Sequence, residues 1–403
     1  MSAIKNISVT LILLTIAMTA SPVSFDYVTG EEGQRACLRL PKGGKDVKAL
    51  LYCHQNMTEE VLFRSERFTA MMDSLGVAMA FVQQGSQDWD VKKGCQERFE
   101  RIISNFANGT GHPEITDSPV IPFGHSAQAT FPWNFAAWNP DRTLCIISYH
   151  GDAPRTNLCG YGRENIEWGR TRNIDRIAGL MIEGEYEWWE ARVRPALAFR
   201  MMYPDSRISF LCDAGKGHFD LSDETQNYIA RFIAKSLANP RPEGGCYYSR
   251  WFDDGTESTD PHDMFWYHDE EMAALTRARY AESRGKKMQY LSARVNGKNV
   301  PYDADSHIKL NATINVDSVF TVMPIFVDET RTAECTDHAP VKPRVVILSG
   351  PVIRVDEYTF LYDPDYFGAD PKRRWSGITL CIEADGDSAY KSSVQELNLR
   401  LTR

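Results

Sequence analysis

From residue 36 to about residue 238, short apolar or β-branched runs alternate with helix-length amphipathic stretches. That repeating order leaves few folds open, because it calls for a mostly parallel sheet with helices on both faces. The runs read as strands are Val47 to His54, Val77 to Gln83, Val120 to Gly124, Leu144 to Tyr149, Ile177 to Ile182 and Ile208 to Asp213. Helices are predicted between them over Glu59 to Ser74, Cys95 to Asn108, Ala127 to Ala137, Trp188 to Met202 and Asp223 to Leu237. In the first, Phe63, Arg67, Ala70, Met71 and Leu75 share one stripe at a spacing of three to four.

The segment Asn239-Pro240-Arg241-Pro242-Glu243-Gly244-Gly245 breaks every periodicity, so a domain boundary is expected there, with one domain over 25–242 and another over 243–403. The second is expected to hold one helix, Asp269 to Ser283, and then an all-β sandwich from about residue 288. Asn296-Gly297 marks a hairpin within it. Its aromatic residues Phe320, Phe326, Tyr358, Phe360 and Tyr362 alternate as core residues do, which favours a stabilising module over a glycan-binding one.

Ahead of residue 25, Lys5 precedes an apolar run from Ile7 to Ala20 that ends in the small residues Ala20 and Ser21, the pattern of a cleaved secretory signal over 1–24. The run falls short of the roughly 20 residues that span a bilayer. Secretion or periplasmic export is therefore expected, with no membrane partner after cleavage. With 45 Lys and Arg against 54 Asp and Glu, the net charge of −9 offers no broad basic surface for nucleic acid.

Nine cysteines in an exported chain permit disulfides and leave at least one unpaired, while Cys145 and Cys212 sit in apolar runs and read as buried thiols. No C-x-x-C pair or His-x-x-x-His spacing supports a metal. The acidic stretch Asp253 to Glu271 matches no calcium loop and reads as a solvated approach to a helix N-terminus.

The chemistry gathers after the third of the six predicted strands. Gly124-His125-Ser126-Ala127-Gln128 places a serine on a sharp strand-to-helix turn, a nucleophile elbow, where a neighbouring base can take its proton. Gln128 stands where such turns usually carry Gly, so its side chain needs room or must face the site. A second Gly-x-Ser, Gly386-Asp387-Ser388, has neither a following helix nor a later histidine. Gly215-Lys216-Gly217-His218-Phe219 follows the last strand and offers a base. His125 would point away from the serine's site, while His54 and His150 end other strands and could line a pocket. Glu183, Glu185 and Glu187 follow the preceding strand as candidates to orient the imidazole.

In this order the parts resemble the α/β-hydrolase superfamily over residues 36–238. The whole layout is similar to secreted carbohydrate-esterase-like proteins of glycan-degrading bacteria. The resemblance implies an α/β-hydrolase fold with Ser126 as nucleophile, His218 as base and Glu187 as acid, Glu185 being the second choice. It also implies an oxyanion hole from the N–H groups of Ala127 and Gln55, no cofactor, and cleavage of a carboxylic ester on a polysaccharide or oligosaccharide, with methyl-esterified pectin among the candidates. A peptidase, a general lipase or a non-catalytic glycan binder on the same fold are the alternatives.

The stretch between Tyr149 and Ile177 carries Arg155, Arg163, Arg170, Arg172 and Arg176, with Trp168. In such a fold it would form a cap. Arginine forks suit uronate carboxylates, and the flat faces of Trp133, Trp168 and Trp188 suit sugar rings, so Trp133, Arg155, Trp168 and Trp188 are the expected substrate contacts. Ion pairing with Glu164, Glu167 and Asp175, and helix packing for Trp133 and Trp138, account for the same residues without a ligand.

Overall fold

The computed structural model describes residues 23–30, 34–44, 46–83, 89–151, 174–187, 189–252, 256–282, 284–301, 309–368 and 377–402. The expected leader lies almost wholly outside them. So do Trp188 and residues 152–173 of the expected cap, Arg155 and Trp168 among them. The chain divides into two compact units, Phe25–Lys286 and Lys287–Arg403.

The first unit is built on strands β1 (Tyr27–Thr29), β2 (Ala36–Arg39), β3 (Ala49–His54), β4 (Val77–Val82), β5 (Val120–His125), β6 (Cys145–Tyr149), β7 (Ala178–Gly184) and β8 (Arg207–Asp213). They form one sheet in the order β1-β2-β4-β3-β5-β6-β7-β8. β2 runs antiparallel to β4, and the strands from β4 to β8 are parallel. Every residue of β3 to β7 is buried, as expected for parallel strands covered on both faces. This is an α/β-hydrolase sheet.

The helices are α1 (Met57–Arg64), α2 (Glu66–Leu75), α3 (Cys95–Thr110), α4 (Phe131–Trp138), α5 (Trp189–Met202), α6 (Asp223–Ala238) and α7 (Glu270–Ala281). The single helix expected over Glu59 to Ser74 is two. Ser65 adopts an extended conformation and its hydroxyl accepts the Phe68 N–H, so a new helix begins there. The break resets the helical phase, which is why Phe68, Thr69 and Met72 are the buried face while Arg67 and Ala70 are exposed.

The boundary lies later than the sequence suggests. β9 (Cys246–Ser249) and β10 (Met264–Tyr267) pair as a hairpin that stays with the first unit, with α7 behind it. The Ser209 hydroxyl on β8 donates to the Trp266 carbonyl (2.5 Å), and the Tyr267 hydroxyl donates to the Phe210 carbonyl (3.0 Å). Arg279 on α7 reaches the fully buried Asp213 at 2.5 Å.

The second unit is all β: β11 (Tyr290–Val295), β12 (Lys298–Asn299), β13 (Lys309–Asn315), β14 (Phe320–Val327), β15 (Arg344–Ser349), β16 (Val352–Arg354), β17 (Thr359–Tyr362), β18 (Gly377–Ala384) and β19 (Ser393–Thr402). Its sheets, β12-β11-β14-β17-β16 and β13-β19-β18-β15, share one apolar core that includes Leu291, Phe320, Phe360, Leu380 and Leu397. All pairs are antiparallel except β13 with β19. The β11–β12 hairpin turns at Asn296 and Gly297, both at positive φ. The eight described cysteines are free thiols, Cys145 and Cys212 among the buried ones.

Candidate active site

β5 ends at His125 and the chain turns through Ser126, whose φ of +53° lies in the left-handed region that side chains rarely occupy. The turn is so tight that a Cβ on Gly124 would lie 2.0 Å from the Gln128 carbonyl oxygen, so only glycine fits. The Gln128 side chain is itself buried, and its neighbours leave the room that the departure from glycine demands.

Two residues at the start of α1, one just ahead of it and one in its first turn, grip this elbow. Asn56 and Glu59 have the N-x-x-E spacing of a capping box, yet Asn56 caps nothing with its side chain. Its Nδ2 donates to the His125 carbonyl (2.8 Å), and Glu59 Oε1 accepts the His125 N–H (2.8 Å). Burial pushes the Glu59 carboxyl well above the ordinary carboxylate range. The spacing could have been seen in the sequence, but its target could not.

His218 stands in the loop after β8. The Ser126 hydroxyl lies 2.7 Å from His218 Nε2, and His218 Nδ1 hydrogen-bonds to Glu187 Oε1. Glu187 sits just past β7, its side chain only 2% exposed, with Oε2 facing the Gly184 N–H at 3.5 Å and His150 Nδ1 at 3.9 Å. Burial would raise this carboxyl, yet the neighbouring His150 and the hydrogen bond and charge of His218 hold it well below the ordinary range. An ionised acid behind the imidazole is the state that stabilises its cation. Glu185, the second candidate, instead accepts the Gly215 N–H at 2.7 Å and braces the loop. Glu183 is wholly buried on β7, with Arg192 at 3.8 Å. The two loops nearly touch: a Cβ on Gly184 would lie 2.6 Å from the Gly217 carbonyl oxygen.

Other expected positions are elsewhere. The Gln55 N–H continues the β3–β4 ladder by donating to the Val82 carbonyl (2.9 Å), which takes it away from an oxyanion hole. Ala127 is exposed in the first turn after the serine, where N–H groups have no carbonyl behind them to bond. Trp133 is not a sugar platform. It is 1% exposed on α4, and its ring fills the space that Gly179 on β7 leaves by having no side chain. Trp138 packs beside Trp89 and Phe135. His54 stacks on Phe131 at 4.1 Å and is almost wholly buried.

No protein-family model matches the chain, and no curated protein does. Among solved structures it is similar to Est1E from Butyrivibrio proteoclasticus, at 13% identity over 54% of this chain and 99% of that one, with a TM-score of 0.37. A bifunctional GH43-CE protein from Bacteroides eggerthii is 13% identical over 53% of this chain and 38% of its own, with a TM-score of 0.40. S-formylglutathione hydrolase from Staphylococcus aureus is 10% identical over 56% and 98%, with a TM-score of 0.38.

Proposed function

We propose that this protein is a serine hydrolase that cleaves a carboxylic ester by acyl transfer. The observation that carries the reading is the Ser126 hydroxyl 2.7 Å from His218 Nε2, with Glu187 on the other ring nitrogen. Ser126 Oγ attacks the ester carbonyl as its proton passes to Nε2. The leaving alcohol then takes that proton, and His218 activates water to release the acid and free the serine. The developing oxyanion is held by the Ala127 N–H and, in place of Gln55, by the N–H of Asn56, one residue further along the turn after β3. No step calls for a cofactor.

The substrate class is an ester on an acidic polysaccharide or oligosaccharide, a methyl-esterified uronate or an acyl sugar. Its support is the Arg- and Trp-bearing sequence of 152–173, which follows β6 in the chain. Export is part of the proposal and rests on the apolar run Ile7 to Ala20. The test is release of phenol from a chromogenic acetyl ester and of methanol from methyl-esterified pectin, each beside Ser126→Ala. Methanol release lost in the variant supports the uronate ester, and phenol release alone supports a deacetylase. Cleavage of peptides or long-chain esters in place of both would move the reading to a peptidase or lipase.

A further inference from the structure

The general base is usually described by what its ring touches, but here its main chain is held as well. The His218 carbonyl accepts two hydrogen bonds from imidazoles: His125 Nε2 at 2.8 Å and His150 Nδ1 at 2.9 Å. Both donor rings are fully buried, and burial lowers the pKa of each. A carbonyl oxygen can only accept, so each ring carries a hydrogen on the nitrogen that faces it. His125 bears its hydrogen on Nε2 and His150 on Nδ1. The opposite nitrogens, His125 Nδ1 and His150 Nε2, are buried with no partner among the described residues. The three rings each bring a nitrogen within 4.8 Å of one another, a spacing a metal ion could use. The point on which two of them converge is already filled by the His218 oxygen.

His150 is the more telling of the pair. It follows β6 directly at a φ of +48°, a conformation non-glycine residues rarely adopt, and its N–H donates to the Ile182 carbonyl at 2.7 Å. Its ring stacks 3.9 Å from Tyr149, whose hydroxyl donates to the Asp220 carbonyl. Adjacent side chains at the end of β6 therefore hold carbonyls at positions 218 and 220 of the same loop. His150 Nδ1 also lies 3.9 Å from Glu187 Oε2, so one ring borders both the base and its acid.

We propose that His150 is a positioning residue for hydrolysis, its Nδ1–H fixing the main chain of His218 so that the imidazole stays between Ser126 and Glu187. This rests on the reading of Ser126 and His218 as nucleophile and base.

The experiment measures kcat and KM on a chromogenic acetyl ester, with far-UV circular dichroism and the thermal midpoint, for His150→Phe, His150→Gln and His150→Asn, in the wild-type and His218→Ala backgrounds. Asn places an N–H near the position of Nδ1 and tolerates positive φ, whereas the longer Gln side chain does not reach the same point. The expected result is a fall in kcat of about 10- to 100-fold for Phe and Gln with KM changed less than about 3-fold, since a shift of about 1 Å at a base has that effect. Asn should recover to within about 5-fold of wild type, and adding His150→Phe to His218→Ala should lower the residual rate no further. Unchanged kcat in folded Phe and Gln variants overturns the proposal, as does Asn no better than Gln, or an equal loss in both backgrounds. If Phe does not fold, the contrast of Asn with Gln decides. Failure of wild-type Ser126 to react with a fluorophosphonate is a distinct result that overturns the hydrolase reading and this one with it.

Discussion

Removing the Arg279 guanidinium would leave a carboxylate stranded inside the first unit. Arg279 Nη2 lies 2.5 Å from Asp213 Oδ1 and 3.2 Å from the Ser222 hydroxyl, and the Asp213 side chain is wholly buried. Its remaining contacts are long: the Tyr149 hydroxyl at 3.4 Å and the Ser222 hydroxyl at 3.5 Å. Neither replaces a charge-assisted bond. Arg279→Met should therefore cost about 3–5 kcal/mol, the range for breaking one side of a buried ion pair. The consequence reaches the site, because the Asp213 carbonyl accepts the N–H groups of Glu185 and Lys216, one from each loop that carries the acid and the base. The assay is urea unfolding at pH 7 followed by both tryptophan fluorescence and esterase activity. Arg279→Met/Asp213→Asn removes the stranded charge and should recover at least 1 kcal/mol of the loss. A single variant that loses less than about 1 kcal/mol, or a double variant no more stable than the single, would refute the reasoning.

Glu187→Gln should lower kcat by about 10³- to 10⁴-fold, as loss of the orienting acid does in this constellation, while Glu185→Gln should cost at most about 10-fold. The reverse order in steady-state kinetics would move the acid to Glu185. Burial lowers the His125 pKa, so the stability it contributes is complete above its unfolded value of about 6.5 and is lost as pH falls below it. His125→Gln keeps an N–H for the His218 carbonyl but does not titrate. Wild type should therefore lose about 1 kcal/mol of stability relative to this variant between pH 6.5 and 5.5, and a constant difference in unfolding free energy would show that the ring takes up its proton equally in the folded and unfolded states. Gly179→Ala would bring a methyl group within 2.8 Å of the Trp133 ring and should destabilise by about 1–3 kcal/mol. Trp133→Phe in the same chain should relieve part of that cost, and an additive loss in thermal unfolding would exclude the contact.

What could be read from the sequence followed the range of the interactions involved. The expected strand Val77 to Gln83 is β4 to within a residue, because a buried parallel strand is a continuous apolar run that needs no information from elsewhere. The elbow is local in the same way, since its glycine answers a carbonyl four residues on. Alternation could not choose among Glu183, Glu185 and Glu187, because β7 stops at Gly184 and the side chains beyond follow a turn. The Gln55 N–H is taken up because the β4 ladder extends one residue past the end of β3, which no local pattern signals. Trp133 resembles a sugar platform until Gly179, 46 positions away, is seen beneath it. The early boundary at 242 has the same origin. Proline and glycine interrupt periodicity there, but nothing local reveals that Trp266 and Arg279 return to β8.

The parallel pair β13–β19 bears on how the second unit is made. Lys309 is opposite Glu396, so β13 leaves the ribosome about 90 residues before its partner, a wait of roughly 4 to 18 s at ordinary rates of synthesis. Through that interval the strand presents an unpaired backbone edge, the feature on which nascent chains associate wrongly. Slower translation between them would lengthen the exposure, so the yield of soluble protein should depend on codon choice over residues 316–396 and on holdase chaperones more than on the finished stability of the sandwich.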